Sequence, residues 1–388
     1  EKYERATSIP KTKIGARELF SSLLKERAET GRIYIMNIDH CNTHSSFTDK
    51  INMSNLCQEI TLPTDPIQHI DGNGEIALCI LSAINVGIVK EEELESLCDL
   101  SVRGLEELID FQEYPVKAAE MSTIARRSLG IGYIGLAHFL AKNKVKYGDK
   151  EALQLVHDLT ERFQYFLLKS SNNLARINGN CIDFDRTKYA EGQLPIDHYK
   201  KEVDELVKPV YKMDWEQLRK DIRIHGLRHS TLTAQMPSES SSVVSNATNG
   251  IEPPRDYLSV KKSKKGTLKQ VVPQYSILKN SYTLLWDMED NDGYIKIVAV
   301  MQKFFDQAIS GNWSYNPENY DNGEVPVSIM AKDLLNTYKY GWKTSYYQNT
   351  MDGKTEDVVK DENSAMNDYV PPMMDSPNDE EDCDACAI

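Results

Sequence analysis

Apolar positions recur at helical spacing over several long stretches, and between them lie short apolar runs broken by Gly, Pro and Ser. Residues 15 to 30, which include "ARELFSSLLKERAET", predict a helix closed by Gly31 as its C-cap, with "RIYIMNI" following as a short strand. Helical periodicity returns over 91–113, 116–142, 150–177 and 214–224, then in "GYIKIVAVMQKFFDQAIS" and over 326–340. Residues 37–88 are polar and turn-rich and predict long loops and strands threaded into an interior. Between 225 and 300 the runs "TLTAQ" and "KQVVP" predict short strands. Long helices alternating with short apolar strands predict an α/β architecture. From about 352 onward Asp, Glu, Asn, Pro and Met follow without periodicity, and a disordered tail is expected over 352–388.

Composition narrows the class. A chain of 388 residues with 40% hydrophobic content has enough apolar surface for one large core or two smaller ones. There is no run of eighteen apolar residues and no apolar signal segment in "EKYERATSIPKTK", so a cytoplasmic location is expected. The seven cysteines, at 41, 57, 79, 98, 181, 383 and 386, have no compact disulfide spacing and are expected to be reduced or reactive thiols. Of the net charge of −14, residues 351–388 contribute twelve acidic side chains against two lysines. The acidity therefore belongs largely to a tail, and a nucleic-acid-coating surface is not expected.

Several motifs carry candidate chemistry. In "MSNLCQEITLPT", residues 53–64, an extended chain would turn Asn55, Cys57 and Glu59 to one face and Leu56, Gln58 and Ile60 to the other. "GIGYIG", 130–135, matches a dinucleotide fingerprint, but "STIARRS" before it is no apolar strand, so helix-packing glycines are the expected account. His40, Cys41 and His44 are of metal-ligand type, yet no second cluster accompanies them, and buried hydrogen-bonded side chains are the reading adopted. "MPSESSSVVSNATNGIEPPR", 236–255, could open a helix whose N–H groups and serines hold a phosphate, and a capped loop is the equal alternative. Tyr346 and Tyr347, as neighbours on a regular strand, should face opposite sides; a redox use would require them to stack. Cys383 and Cys386 lie in an acidic segment that should raise thiol pKa values, so the pair suits a tethered dithiol better than an attacking nucleophile. An incidental or metal-scavenging pair is the alternative.

Taken in order, "SNLCQE", "GEIALC", "PSESSS" with "NATNGIEPPR", "YYQNT" and the terminal "CDAC" resemble the large catalytic subunit of class I ribonucleotide reductase, C-terminal half only. The resemblance implies reduction of ribonucleoside diphosphates by a protein thiyl radical. It also implies a fold, the C-terminal half of a ten-stranded α/β barrel over 1–351 with the radical cysteine on a central finger loop. By matching positions, Cys57 would carry the radical, Glu59 would be the general base and Asn55 would hydrogen-bond the substrate, with Leu56 and Gln58 in the same substrate-binding segment. Cys79 would be one member of an active-site redox pair whose partner should lie well upstream of Cys57, where this chain offers no candidate. Cys383 and Cys386 would re-reduce that disulfide and be reduced in turn by thioredoxin or glutaredoxin, although their two-residue spacer is shorter than in some relatives. Pro237, Ser238, Glu239, Ser240 and Ser241 would hold the substrate phosphates, and Tyr346 and Tyr347 would relay oxidation from a small radical-generating subunit.

No cofactor or metal is expected on this chain, the radical coming from a metal centre of the small subunit, of di-iron tyrosyl type. The first barrel half and the regulatory nucleotide domain have no counterpart here. The chain is therefore expected to be a fragment or one of two polypeptides that assemble, the second being favoured because the block ends at the family's C-terminus and starts just before a helix. Two rival readings remain. A glycyl-radical or cobalamin-dependent reductase shares the cysteine loop, but the glycyl type should carry a glycine motif where this chain has "YYQNT". A non-catalytic remnant could instead sequester the small subunit or thioredoxin.

Overall fold

The longest stretch of helical periodicity forms the helix Lys150–Asn178, which the computed structural model packs against Leu94–Phe111, Trp215–His225 and Asp292–Gln302. Its buried face includes Val156, Leu159, Phe163 and Leu167, spaced three or four residues apart, as a single apolar stripe requires. The structure describes residues 2–69, 74–263 and 266–351. The expected tail over 352–388, with Cys383 and Cys386, lies outside the described residues.

Helix boundaries follow local chemistry. Ala16–Thr30 ends at Gly31, whose φ of 70° is left-handed and whose N–H bonds the carbonyl of Arg27. Asp214 caps Trp215–His225 by accepting the N–H of Gln217 at 2.9 Å. The last helix runs over Val327–Lys339. Among the described residues no helix is long and apolar enough to cross a membrane.

The strands are short: β1 (Ile35–Met36), β2 (Leu81–Asn85), β3 (Gly130–Ile134), β4 (Leu258–Ser263), β5 (Gly266–Val271), β6 (Trp313–Tyr315), β7 (Thr344–Ser345) and β8 (Gln348–Thr350). They pair two by two, β2 with β3 and β6 with β8 in parallel, β1 with β7 and β4 with β5 antiparallel. Single bridges join these pairs: Ile131 pairs in parallel with Thr233, and Gln235 with Ile309. Beyond them the N–H of Tyr346 bonds Gly311 and that of Trp313 bonds Tyr347. Backbone contacts thus run from β2 through β3, 231–235 and 309–315 to 344–350 and β1. This is mixed α/β architecture, and within the described residues it does not close into a barrel.

Two expectations about the middle of the chain are corrected. Residues 116–142 are not one helical stretch but the helix Lys117–Arg126, β3, and the helix Leu136–Lys142. The glycines of 130–135 do not pack helices: Gly130 and Gly132 lie in the strand itself, and Gly135, with a left-handed φ of 80°, caps the helix Leu136–Lys142. A Cβ on Gly132 would sit 2.7 Å from the Ala234 carbonyl oxygen, and one on Gly130 2.7 Å from a Leu81 methyl. Gly132→Ala is expected to lower stability by about 1–3 kcal/mol through overpacking, read as the urea midpoint, and an unchanged midpoint would mean this approach relaxes freely.

His40, Cys41 and His44 are buried around the short helix Ile38–Thr43. Ligand-type residues converge elsewhere among the described residues, at His157, Asp158 and Glu161, within 4.8 Å of one another. Their carboxylates are already engaged. Glu161 accepts the N–H groups of Lys212, Met213 and the Trp215 indole, and Asp158 pairs with Lys212.

Candidate active site

The strand face expected for Asn55, Cys57 and Glu59 is replaced by a turn. The N–H of Gln58 bonds the Asn55 carbonyl at 3.2 Å, and the N–H of Asn55 bonds Ile60 at 3.2 Å. The Asn55 side chain accepts the N–H of Ile60 at 3.1 Å, and Gln58 takes a φ of 70°. A left-handed non-glycine residue breaks strict alternation, so Gln58 and Glu59 are both buried while Leu56 stands 64% exposed. The Asn55 and Glu59 side chains still meet beside the Cys57 backbone. Asn55 hydrogen-bonds the Glu59 carboxylate, and Ser310, from a distant segment, reaches both the Cys57 carbonyl and Glu59 Oε2, the latter at 3.2 Å.

Glu59 is 2% exposed. Burial raises its pKa above the ordinary carboxylate value, while hydrogen bonds from Asn55, its own backbone and Ser310 pull the other way. Cys79 is exposed, and Asn55 Nδ2 lies 3.5 Å from its sulfur, so the amide stands between thiol and acid.

The segment holding Ser310 is fixed from both sides. Ala308 donates its N–H to the Glu59 carbonyl, while the N–H groups of Gln235 and Ser310 exchange bonds with Ala308 and Gln235. Lys343, fully buried, donates to the carbonyls of Phe305, Asp306 and Gln307, and burial pushes its pKa down to about 7.

Tyr346 and Tyr347 occupy the break between β7 and β8, and this is why they do not face opposite sides. Their ring centroids lie 4.2 Å apart at 59°, in contact but tilted rather than in the stack expected for a redox pair, and the Tyr346 hydroxyl is 3.6 Å from Cys57 Sγ. Burial first, then the contact with Cys57, raises the Tyr346 pKa, so the phenol stays neutral at physiological pH. A third ring, Tyr34, lies 4.7 Å from Tyr346 and 5.4 Å from Tyr347, its own pKa raised by burial to about 12. Arg27, buried in the helix Ala16–Thr30, donates to the carbonyls of Tyr346 and Tyr347 at 2.8 and 3.3 Å and lies over the Trp313 ring.

The serine-rich segment opens the short helix Glu239–Val244. Pro237, Glu239, Ser240 and Ser241 are exposed and Ser238 is buried, its hydroxyl donating to the Met236 carbonyl at 3.1 Å. Gln235, three residues earlier, is bonded on both sides to the Ala308–Ser310 segment, so the chain runs directly from the Cys57 neighbourhood into this helix.

A family model of the ribonucleotide reductase barrel domain matches residues 1–348. The chain belongs to that family. It is 58% identical over 365 residues to the ribonucleoside-diphosphate reductase subunit alpha of Haemophilus influenzae, covering 93% of this chain and 48% of the relative. It is 52% identical over 379 residues to ribonucleoside-diphosphate reductase 1 subunit alpha of Escherichia coli, 96% of this chain and 49% of the relative. It is 41% identical over 396 residues to the subunit alpha of bacteriophage T4, covering 100% of this chain and 50% of the relative. The chain thus spans about half the length of the curated relatives it matches.

Within this barrel-domain chain, sequence reasoning missed Arg27, Tyr34, Ser310 and Lys343. Arg27 read as one charge on an amphipathic helix and Tyr34 as a strand residue in "RIYIMNI"; neither has a local signal that points to Tyr346. Ser310 and Lys343 reach the site only through contacts between distant segments.

Proposed function

We propose that this chain forms part of a ribonucleoside-diphosphate reductase, in which a thiyl radical on Cys57 reduces a ribonucleotide to a deoxyribonucleotide. The observation that carries this reading is the unbroken contact chain from Tyr347 through Tyr346 to Cys57, ending beside Asn55 and Glu59. An oxidising equivalent from a small subunit would take an electron and a proton from Tyr347. A hydrogen atom would then pass from Tyr346 to Tyr347 and from the Cys57 thiol to Tyr346. Neutral phenols suit this relay because electron and proton leave together and no buried charge forms.

The Cys57 thiyl would take the 3′ hydrogen of the substrate, and Glu59 would take the 3′ hydroxyl proton as the 2′ hydroxyl leaves as water. Two electrons and two protons would come from Cys79 and a partner thiol, which become a disulfide, and Cys57 would return the 3′ hydrogen. Atoms balance as ribonucleotide plus dithiol giving deoxyribonucleotide, disulfide and water. Cys383 and Cys386 would re-reduce that disulfide at the expense of thioredoxin or glutaredoxin. The serine segment 237–241 would bind the substrate diphosphate. The same reading takes the chain as half of a ten-stranded barrel completed by the N-terminal half of the large subunit, in the cytoplasm, with the radical-generating metal centre on the small subunit.

The test is deoxynucleotide formation by the chain combined with that N-terminal half, a small subunit, and a thioredoxin system. Turnover that requires every component supports the reading. Association with the small subunit without turnover would leave a sequestering protein in its place.

A further inference from the structure

The Ser310 hydroxyl lies between two acceptors on the turn that holds Cys57: the backbone carbonyl of Cys57 itself and Oε2 of Glu59, 3.2 Å away. A hydroxyl has one proton to give, so it cannot serve both fully at once. Ser310 is 6% exposed, its N–H is bonded to the Gln235 carbonyl at 3.0 Å, and neighbouring Ala308 is bonded to the Glu59 backbone at 3.0 Å. The backbone that carries the hydroxyl is thereby held beside both acceptors.

We propose that Ser310 is a positioning residue that ties the charge state of Glu59 to the backbone of Cys57. When Glu59 is ionised, the hydroxyl donates to the carboxylate, the stronger acceptor. When Glu59 has taken a proton, the carboxylic acid can donate to Ser310 Oγ and the hydroxyl turns to the Cys57 carbonyl. Ser310 keeps its own proton throughout; the only proton gained is the one Glu59 accepts from the substrate. The turn that presents the sulfur is thereby held differently before and after proton transfer.

Few groups compete for this control. Facing Glu59 and its turn are Asn55 and Cys57 from the turn itself, the Cys79 thiol against the Asn55 amide, Ser310 from the 308–310 segment, and Tyr346 from the strand break, its hydroxyl on Cys57. Among the described residues no charged side chain acts on Glu59, so the hydroxyl is one of only two side-chain donors that favour its ionised form. Nothing in the local sequence "AISGNWS" announces this, since Ser310 lies far from Glu59 along the chain.

This inference rests on the reading of Glu59 as general base, and the experiment separates the two. In the completed large subunit with its small subunit, the pH profile of kcat would be measured for wild type, Ser310→Ala and Ser310→Thr, with nucleoside diphosphate binding measured alongside by equilibrium dialysis. Removing a donor to the carboxylate is expected to move the acid limb of Ser310→Ala upward by about one pH unit, with about tenfold lower kcat on that limb and binding within about twofold of wild type. Ser310→Thr, which keeps the hydroxyl, is expected to return the limb to its original position. If alanine prevents assembly, Ser310→Cys, a similar shape with a weak donor, replaces it with the same expected direction of shift. An acid limb that stays in place in an active alanine or cysteine variant overturns the proposal. Absence of turnover in the wild-type assembly overturns the function proposed for the chain instead.

Discussion

Tyr347→Phe is expected to reduce deoxynucleotide formation to about 0.1% of wild type or less, equivalent to about 4 kcal/mol of barrier, while the small subunit still binds. The reason is chemical. The ring contact of 4.2 Å between Tyr346 and Tyr347 survives in phenylalanine, so packing and neighbouring backbone bonds change little. The phenolic O–H, the group that can give up an electron and a proton together, is lost. Arg27 holds the Tyr346 and Tyr347 carbonyls through backbone contacts and does not touch the missing hydroxyl, so the local chain should stay in place. Two measurements decide the matter, turnover in the complete assembly and titration of small-subunit binding. Activity within tenfold of wild type would remove Tyr347 from the relay, and lost association would make it an interface residue instead.

Glu59→Gln is expected to lower turnover by about a hundredfold to ten-thousandfold, with substrate dissociation within about threefold of wild type. Glutamine keeps the length and the hydrogen-bonding reach toward Asn55 and Ser310 but cannot take a proton from a hydroxyl. The sign of the pH dependence follows from burial. Because the folded-state pKa of Glu59 is raised, the ionised form that the proposed base requires is lost as pH falls through that raised value, and wild-type activity should fall on the acid side accordingly. The same shift acts on stability. Below the unfolded pKa a neutral Glu59 carries no penalty, and above the folded pKa the buried charge carries the full one. Glu59→Gln should therefore be at least as stable as wild type in alkaline buffer, as read by its melting temperature. A stable, substrate-binding variant with near-normal turnover would remove Glu59 from the role of base.

Legibility differed between helices and site. The helices over 150–177, 214–224 and 326–340 were readable because each buries a stripe set by its own periodicity, and the structure places them at Lys150–Asn178, Trp215–His225 and Val327–Lys339. The stretch 116–142 misled for the same reason. Buried β3 is apolar on both faces, and a short, fully buried strand next to helices has no period of its own. Asn55, Cys57 and Glu59 were found together by the wrong geometry. Alternation on a strand predicted a common face, but the turn at Gln58 and the reach of Ser310 bring the groups together.

By itself the sequence determined the helical framework, the mixed α/β class, the acidic character of residues 351–388 and the residue types gathered around Cys57, because periodicity, charge and short motifs are properties of neighbours along the chain. Only the tertiary structure decided that Tyr346 and Tyr347 meet Cys57, that Tyr34 and Arg27 gather around them, and that Ser310 joins Glu59 to the Cys57 backbone. Those contacts join segments hundreds of residues apart. They form when 309–315 is hydrogen-bonded between 233–235 and 344–350, and no local propensity can encode that pairing.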